Sequence, residues 1–500
     1  MNILPLFVVI PLAAAFIISL IGKFSKRSAD ILANLACFLL LLFSFYALNI
    51  MYGTPGGVIV YKIGGWIPPI GICMVLDALS AFMLITLNLV SCLVAVYSIS
   101  YMNKYTAKYR FYTLFMLMLA GMNGVIITGD LFNLFVFLEI AAISSYALVA
   151  FGTESEELEA SFKYAIMGSV ASSFILLGIA LLYSYTSSLN MADISSVLAE
   201  KEYSNITAFI SVLFLMGFSL KSAVVPFHAW LPDAHPSAPA PISAMLSGVL
   251  IKVLGVYALV RILFNVIGVD SRVLSLLMFL GALSMIVGVF LAIGQWDLKR
   301  LLAYHSISQI GYVILGLGLG TPLGIIGGLF HLFNHSIFKS LLFLNSGAVV
   351  YAAGTRNLQK MSGLRERMPV TANTSLVASM SIAGIPPFNG FWSKLFIIFA
   401  CVEAGHLGYA SWAVLGSILT LASFMKVQKY AFFGNIKESL KKVKEVPLPM
   451  KLSMTLLAVI CLVAGIIFIL PQAGQRLLIS AAEVLLSGKE YASSVLGAVK

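Results

Sequence analysis

The stretch that decides the fold is 219–252, SLKSAVVPFHAWLPDAHPSAPAPISAMLSGVLIK. It places Lys221 inside an apolar run and interrupts that run at Pro226, because proline has no N–H and its ring clashes with the preceding turn. A proline-rich turn follows, and a second apolar run carries Lys252. A charged side chain beside a broken helix is costly inside a membrane and by default marks an ion pathway. We therefore expect this stretch to line such a pathway.

The composition indicates a membrane protein with many spans. The chain has 500 residues, of which 60% are hydrophobic and 10% are charged, whereas a soluble domain carries about 25% charged residues. The net charge of +11 would suggest a nucleic-acid partner in a soluble protein. Here it is better explained by basic residues in the inside loops of a membrane protein, and we expect no nucleic acid.

Hydropathy predicts an all-α polytopic membrane protein, since a spanning helix needs about 20 mostly apolar residues. The predicted spans are approximately 2–22, 29–51, 74–99, 111–129, 131–151, 160–186, 206–231, 240–264, 272–294, 299–319, 322–352, 370–405, 409–433 and 452–471. The basic residues fall mainly in the inside loops when both termini are placed outside. The tail from Gln472 to Lys500 is too polar to span and is expected along the surface.

Proline breaks in spans seven and twelve predict an internal repeat. The breaks lie at Val224–Pro226 and Gly384–Pro387. The first break is accompanied by lysines 221 and 252, 31 residues apart, and the second by lysines 394 and 426, 32 residues apart. The broken spans are five apart, an odd number, which is typical of an inverted five-helix repeat. We divide the chain into 1–105 (spans 1–3), 106–266 (spans 4–8), 267–435 (spans 9–13) and 436–500 (a loop, span 14 and the tail).

Glu139 lies about eight residues into span five, with no charged residue within helical reach. A carboxylate buried in a membrane needs a partner, and we predict that Lys221 on span seven is that partner. Each member of such a pair influences the protonation of the other, so the pair could hold or release a proton. The alternative is a static ion pair that fixes helix packing.

Lys252 and Lys394 are also placed at membrane depth. Lys252 lies about a dozen residues from either end of span eight, and Lys394 follows the second break. Desolvation disfavours the charged form of a lysine, which allows it to exchange a proton. The alternative, a lysine that snorkels to the interface, suits helix ends better than the middle of a span.

Span eleven carries a polar stripe. His331, His335 and Lys339 are spaced i, i+4, i+8 and so share one helix face. This face should point to the protein interior, where hydrated histidines can relay protons. A metal pair and a purely structural histidine network are the alternatives, and the first lacks a nearby carboxylate. We expect His305 to join the same row, whereas His228 either connects the path to the inside or anchors a loop.

Four motifs resemble the proton-translocating antiporter-like subunits, over about residues 70–435. The family includes the antiporter-like subunits of respiratory complex I, the A-type and D-type subunits of Mrp cation/proton antiporters, and the matching subunits of membrane-bound hydrogenases. The motifs are KSAVVPFHAWLPDAHP (221–236) with APAPISA (238–244), LAYHSISQIGY (302–312), FHLFNHSIFKSLLFLNSGAV (330–349) and GIPPFNGFWSKLFI (384–397). In addition, NLFVFLEIAAISSYALVAFG (133–152) looks most like the Mrp D-type subunit and its hydrogenase counterparts.

The resemblance implies fourteen spans, an inverted repeat and a central row of charged residues. It places Glu139 as the fifth-span glutamate and Lys221, Lys252 and Lys394 as the seventh-, eighth- and twelfth-span lysines. It also implies membrane-subunit partners, protons and possible Na⁺ as transported ions, and a bacterial or archaeal cytoplasmic membrane with its lipid.

We find no quinone, flavin, nucleotide or iron–sulfur motif, so we expect no cofactor and assign any redox chemistry to partner subunits. The function that follows is that of a proton-translocating subunit most like the Mrp D-type subunit. Three alternatives remain. The same type of subunit could serve a hydrogenase or a complex I-like oxidoreductase, the chain could be a stand-alone solute transporter, or it could be a membrane scaffold without transport.

Overall fold

The structure, a computed structural model, describes residues 3–201, 203–467, 473–488 and 490–498. Helices make up most of it because a chain in lipid must pair every backbone N–H and C=O within the protein, and a helix does so within one segment. The helices are α1 (Leu6–Ile21), α2 (Lys26–Gly53), α3 (Ala78–Tyr101), α4 (Lys108–Ile127), α5 (Leu131–Val149), α6 (Ser155–Thr186), α7 (Met191–Ala199), α8 (Asn205–Lys221), α9 (Leu231–Ser237), α10 (Ala240–Ile267), α11 (Ser271–Ile293), α12 (Leu298–Gly318), α13 (Pro322–Ala353), α14 (Pro369–Ala383), α15 (Asn389–Glu403), α16 (Leu407–Phe432), α17 (Leu448–Ile467), α18 (Ala473–Leu486) and α19 (Glu490–Gly497).

Eleven helices within the described residues are long and apolar enough to cross a membrane, and they coincide with eleven of the predicted spans. The other three predicted spans are α1 with 16 residues, α8 with 17 residues, and the pair α14 and α15. The polytopic, all-helical membrane class is therefore confirmed. Residue 2 of predicted span one and residues 468–471 of predicted span fourteen lie outside the described residues.

A short hairpin between α2 and α3 was not predicted from the sequence. Its strands β1 (Ile59–Lys62) and β2 (Cys73–Leu76) are antiparallel, with Ile59 opposite Leu76. Glycines with positive φ lie on both sides of β1, and they form tight turns that end any helix there. As a result, α3 begins at Ala78, four residues later than the predicted span.

Helix α10 occupies the centre of the molecule, and all 28 of its residues are buried. It packs against α4 and α8 on one side and against α13 on the other. Long stretches of α10 are π-helical, including Leu246–Leu250 and Lys252–Tyr257. Such segments often occur at functional sites. The helix thus joins the elements of the first predicted repeat to those of the second.

Both predicted helix breaks are present. The first lies between α8, which ends at Lys221, and α9, which begins at Leu231, and the second lies between α14 and α15. The inverted relationship between the two five-helix groups remains a prediction. The described part of the tail forms α18 and α19, which pack against α3, α13 and α7.

Candidate ion-translocation site

Glu139 on α5 and Lys221 at the end of α8 are in contact. The Nζ atom of Lys221 lies 3.5 Å from Oε1 of Glu139, which is the partner expected from the sequence. Lys221 also lies 3.5 Å from the hydroxyl of Tyr146, which is further along α5. The hydroxyl of Ser172 on α6 donates a hydrogen bond to the Glu139 carboxylate. Three helices therefore hold this pair.

The first break determines where Lys221 lies. Helix α8 ends there because Ala223 adopts a positive φ of 56° and Pro226 follows. The freed backbone groups find other partners: the N–H of Val225 donates to Ser284 at 2.9 Å, and the indole of Trp230 donates to the carbonyl of Leu220 at 3.0 Å. Irregular backbone is tolerated at membrane depth when its polar groups have such partners. The break therefore leaves Lys221 in the last turn of α8.

Lys252 is fully buried in the π-helical part of α10. Its ammonium donates to the carbonyl of Ser247 on the same helix. The hydroxyl of Ser247 lies 2.7 Å from that of Ser306 on α12. These contacts place Lys252 beside a polar link between the two predicted repeats.

His331 on α13 has a hydrogen-bond partner at both ring nitrogens. Nδ1 lies 2.9 Å from the Ser393 hydroxyl, and Nε2 lies 3.2 Å from the amide oxygen of Gln309. Ser393 precedes Lys394 in α15, so this histidine links α12 to the helix that carries the twelfth-span lysine. The His331 and His335 rings are stacked with centroids 6.3 Å apart.

His335 and Lys339 are both fully buried in the middle of α13. Among the described residues, neither the ring nitrogens of His335 nor the Lys339 ammonium have a hydrogen-bond partner. Lys339 lies 5.6 Å from the centroid of the Phe343 ring. Buried polar groups are almost always hydrogen-bonded, to protein or to ordered water. The hydrogen bonds of these two groups must therefore come from partners other than the described residues, such as ordered water.

Lys394 caps the end of a broken helix. Its ammonium donates to the carbonyl of Ile382 at 2.8 Å, in the last turn of α14, and lies 4.7 Å from the centroid of the Tyr312 ring. A cation is favourable at a helix C-terminus because the last carbonyls carry partial negative charge. In the second break the lysine thus comes from the helix after the break, whereas Lys221 belongs to the helix before it.

His305 and His228 occupy different surroundings. His305 is fully buried on α12, and its Nε2 lies 2.8 Å from the Ser423 hydroxyl on α16. His228 is half-buried in the first break, with no hydrogen-bond partner for Nδ1 in the described part of the chain. The structure therefore places His305 in the interior and His228 at its margin.

His235, in the proline-rich stretch after the first break, is not among the predicted site residues. It lies on the short helix α9 and is fully buried, and neither ring nitrogen has a hydrogen-bond partner among the described residues. Its ring packs edge-on against Phe343 with centroids 5.3 Å apart, and Lys339 approaches the same phenylalanine. Its sequence neighbours are prolines and an aspartate, which gave no signal of burial.

A second buried ion pair was also missed. Asp77, which is not among the predicted site residues, is 1% exposed and receives hydrogen bonds of 2.7 and 2.8 Å from the Arg261 guanidinium. Asp77 also caps α3, since its carboxylate accepts the backbone N–H of Ser80. From the sequence alone, Arg261 is a basic residue at the outside end of span eight with no evident partner.

Comparison with known proteins identifies the family. The model described as "NADH:quinone oxidoreductase/Mrp antiporter, TM" matches residues 128–420, and one described as "NADH-Ubiquinone oxidoreductase (complex I), chain 5 N-terminus" matches residues 66–112. The chain belongs to the NADH:quinone oxidoreductase/Mrp antiporter family. The membership expected from the sequence motifs is thereby confirmed.

Within the NADH:quinone oxidoreductase/Mrp antiporter family, the chain is similar to the D-type subunit of the Na⁺/H⁺ antiporter of Alkalihalophilus pseudofirmus. The two are 36% identical over 438 residues, which cover 86% of this chain and 88% of the relative. The fold is similar to a chain of the Mrp complex from Dietzia sp. DQ12-45-1b (TM-score 0.89, 30% identity) and to one of the membrane-bound sulfane sulfur reductase, an archaeal respiratory complex (TM-score 0.91, 32% identity). Each structural match covers 99% of both chains.

Proposed function

We propose that this chain carries protons through the membrane along its interior row of ionisable side chains, as one subunit of a larger membrane complex. The row comprises Glu139, Lys221, Lys252, His305, His331, His335, Lys339 and Lys394, with His228 connecting it to the inside surface.

One observation carries the proposal: His335 and Lys339 are fully buried, one helical turn apart, without a hydrogen-bond partner among the described residues. A static ion pair or a structural histidine network would supply such partners from the protein. Groups that depend on water for their hydrogen bonds can instead exchange protons with it. A membrane scaffold would gain nothing from such residues, because burying them without partners costs stability.

We propose Na⁺ as the coupled ion, because the relative from Alkalihalophilus pseudofirmus is a subunit of a Na⁺/H⁺ antiporter. A second candidate is redox-coupled proton movement, which the similarity to the sulfane sulfur reductase chain favours. In that case electron transfer would take place in partner subunits.

We further propose that the chain lies in the cytoplasmic membrane of a bacterium or archaeon with both termini outside. The support is the concentration of basic residues in the loops that this orientation places inside. The two broken helices, each with a buried lysine, support an inverted repeat of spans 4–8 and 9–13, in which the two halves would provide complementary parts of the path.

The test uses the complete complex in liposomes that contain a pH-sensitive dye. A sodium gradient is imposed without an electron donor, for the wild type, for Lys339→Met, and for Lys201→Met as a control at an exposed lysine. We expect a sodium-dependent change in luminal pH that only Lys339→Met abolishes. A change that requires a reduced electron carrier would favour the redox-coupled candidate. No proton movement under either condition would contradict the proposal.

A further inference from the structure

Two cavities meet at one end of the molecule, outside the ion row. One has a volume of about 380 Å³ and the other of about 410 Å³, and Tyr52 and Arg476 line both. Tyr52 lies at the end of α2, and Arg476 lies in the first turn of α18. The two cavities differ in chemistry, which makes the combined site amphipathic.

The first cavity is a groove with apolar walls between α2, α3, α13 and α17. Phe45, Phe82, Phe333 and Val463 are among the residues that line it. Phe45 and Val463 are 50% and 42% exposed, so the groove opens at the outer surface of the helix bundle. From Phe45 to Tyr52 it follows seven residues of α2, or about 10 Å. This surface suits a hydrocarbon chain.

The second cavity is polar and lies under α18. Arg476, Ser480 and Glu483 recur at helical spacing on one face of α18 and line it, and Thr54 faces them from the end of α2. Asp77 reaches the same cavity, but its carboxylate already binds Arg261. The Thr54 hydroxyl donates to the carbonyl of Ile50 but can still accept a hydrogen bond, and the other polar groups named here can contact a ligand directly.

Arg476 and Tyr52 lie where the two cavities join. The Arg476 guanidinium is 4.3 Å from the centroid of the Tyr52 ring and forms no ion pair with the described residues. The Tyr52 hydroxyl is buried and has no hydrogen-bond partner in the described part of the chain. A guanidinium binds phosphate oxygens with two parallel hydrogen bonds, and the hydroxyl can donate a third.

We propose that these cavities form a binding site for one phospholipid. Its diester phosphate binds Arg476 and Tyr52, its headgroup occupies the polar cavity, and one acyl chain fills the apolar groove. Free phosphate would leave the groove unfilled, and a partner helix would leave the cation and the hydroxyl unmatched. The site is independent of the proposed ion pathway and would hold α18 against α2 and α13.

The experiment uses the complete complex in nanodiscs that contain phosphatidylethanolamine with a photoreactive group at the end of one acyl chain. Crosslinked peptides are measured by mass spectrometry for the wild type, Arg476→Ala, Arg476→Lys and Ala464→Trp, which fills the groove. Arg272→Ala is the control, since Arg272 is an exposed arginine paired with Asp270 away from this site.

We expect crosslinks to the peptides that contain Phe82 and Phe333. Arg476→Ala should reduce them about tenfold, the loss expected for a charge-assisted hydrogen bond, and Arg476→Lys should retain part of them. Ala464→Trp should abolish them, and Arg272→Ala should leave them unchanged. Equal crosslinking in Arg476→Ala and the wild type, crosslinking to a partner subunit at these positions, or full competition by inorganic phosphate would each overturn the proposal.

Discussion

The Nζ atom of Lys221 lies 3.5 Å from Oε1 of Glu139, and the two side chains are unequally buried, at 4% and 27% exposed. The carboxylate is partly exposed at the surface of the helix bundle, whereas the lysine is enclosed by protein. An enclosed ammonium is costly to keep charged unless an opposite charge or hydrogen bonds compensate it. We therefore expect the charge of Glu139 to influence whether Lys221 keeps its proton, which is the property that the proposed proton switch requires.

Removal of either partner of this pair should abolish proton movement. Glu139→Ala or Lys221→Ala leaves one buried charge alone, which costs about 3–5 kcal/mol or forces its neutralisation. Glu139→Asp should keep part of the activity because the charge survives on a shorter side chain. The measurement is sodium-driven proton movement in inverted vesicles, with assembly checked on native gels.

Glu159→Ala and Lys163→Ala are the controls for that experiment, because both break an exposed pair on α6, and Lys163→Ala also removes a contact with Asp233. An exposed pair contributes about 0.2–1 kcal/mol, so both variants should transport normally. Normal transport in Glu139→Ala would show that the buried pair has only a structural role.

His335→Ala should slow proton movement while the complex still assembles. We expect a reduction of roughly tenfold to 100-fold, at the low end of the contribution of a positioned proton-transfer group, since water can bridge part of the gap. His235→Ala should also slow transport, because its ring lies one phenylalanine away from Lys339. His406→Ala, at the start of α16 and outside the row, is the control. Wild-type rates in both His335→Ala and His235→Ala would exclude a relay through these histidines.

Gly255→Ala should displace α10 from the first break. A Cβ at this position would lie 2.8 Å from the Cα and the backbone nitrogen of Ser222, the residue that follows Lys221. Overpacking of this kind costs about 1–3 kcal/mol, so the Tm of the purified complex should fall together with transport. Gly408→Ala is the control, because a Cβ there meets no atom within 4 Å. An unchanged Tm in Gly255→Ala would contradict this prediction, because α10 could then move away from the first break without loss of stability.

The pair Asp77 and Arg261 should contribute to stability. Asp77→Asn retains an acceptor for the cap of α3 but leaves Arg261 buried without a counter-ion. Arg261→Met leaves the Asp77 carboxylate buried without a counter-ion. Each should destabilise the complex by about 3–5 kcal/mol, and the double variant should recover part of the loss.

The measurement for this pair is the temperature at which the complex aggregates on heating. Asp270→Asn serves as the control, since its partner Arg272 is 72% exposed. A double variant less stable than both single variants would contradict a pairwise interaction.

The sequence was sufficient to predict the eleven helices long enough to cross a membrane, both helix breaks and the contact between Glu139 and Lys221. These features follow from local rules: apolar length determines a span, proline interrupts it, and a buried carboxylate needs a cation. The hairpin before α3 was not predicted because each strand has only four residues, which is too short to show the alternation of apolar and polar residues that indicates a strand. For the same reason, the predicted start of α3 lies four residues before the observed start at Ala78.

The neutral partners of the row could not be predicted. Ser172, Gln309, Ser393 and Ser423 contact ionisable residues on other helices, and a serine within an apolar helix gives no sign of which neighbour it will meet. Likewise, Asp77 and Arg261 are 184 residues apart in the chain. Their pairing depends on how α3 and α10 pack, which the periodicity of each helix alone does not determine.

Lys221→Arg provides the most direct test of the account. Arginine keeps the positive charge beside Glu139 but does not deprotonate at working pH. The measurement is the initial rate of sodium-driven proton movement in inverted vesicles, normalised to the amount of assembled complex. If Lys221 releases its proton during transport, the variant should be as inactive as Lys221→Ala. Transport at the wild-type rate would contradict the account, because Lys221 would then be only a fixed positive charge.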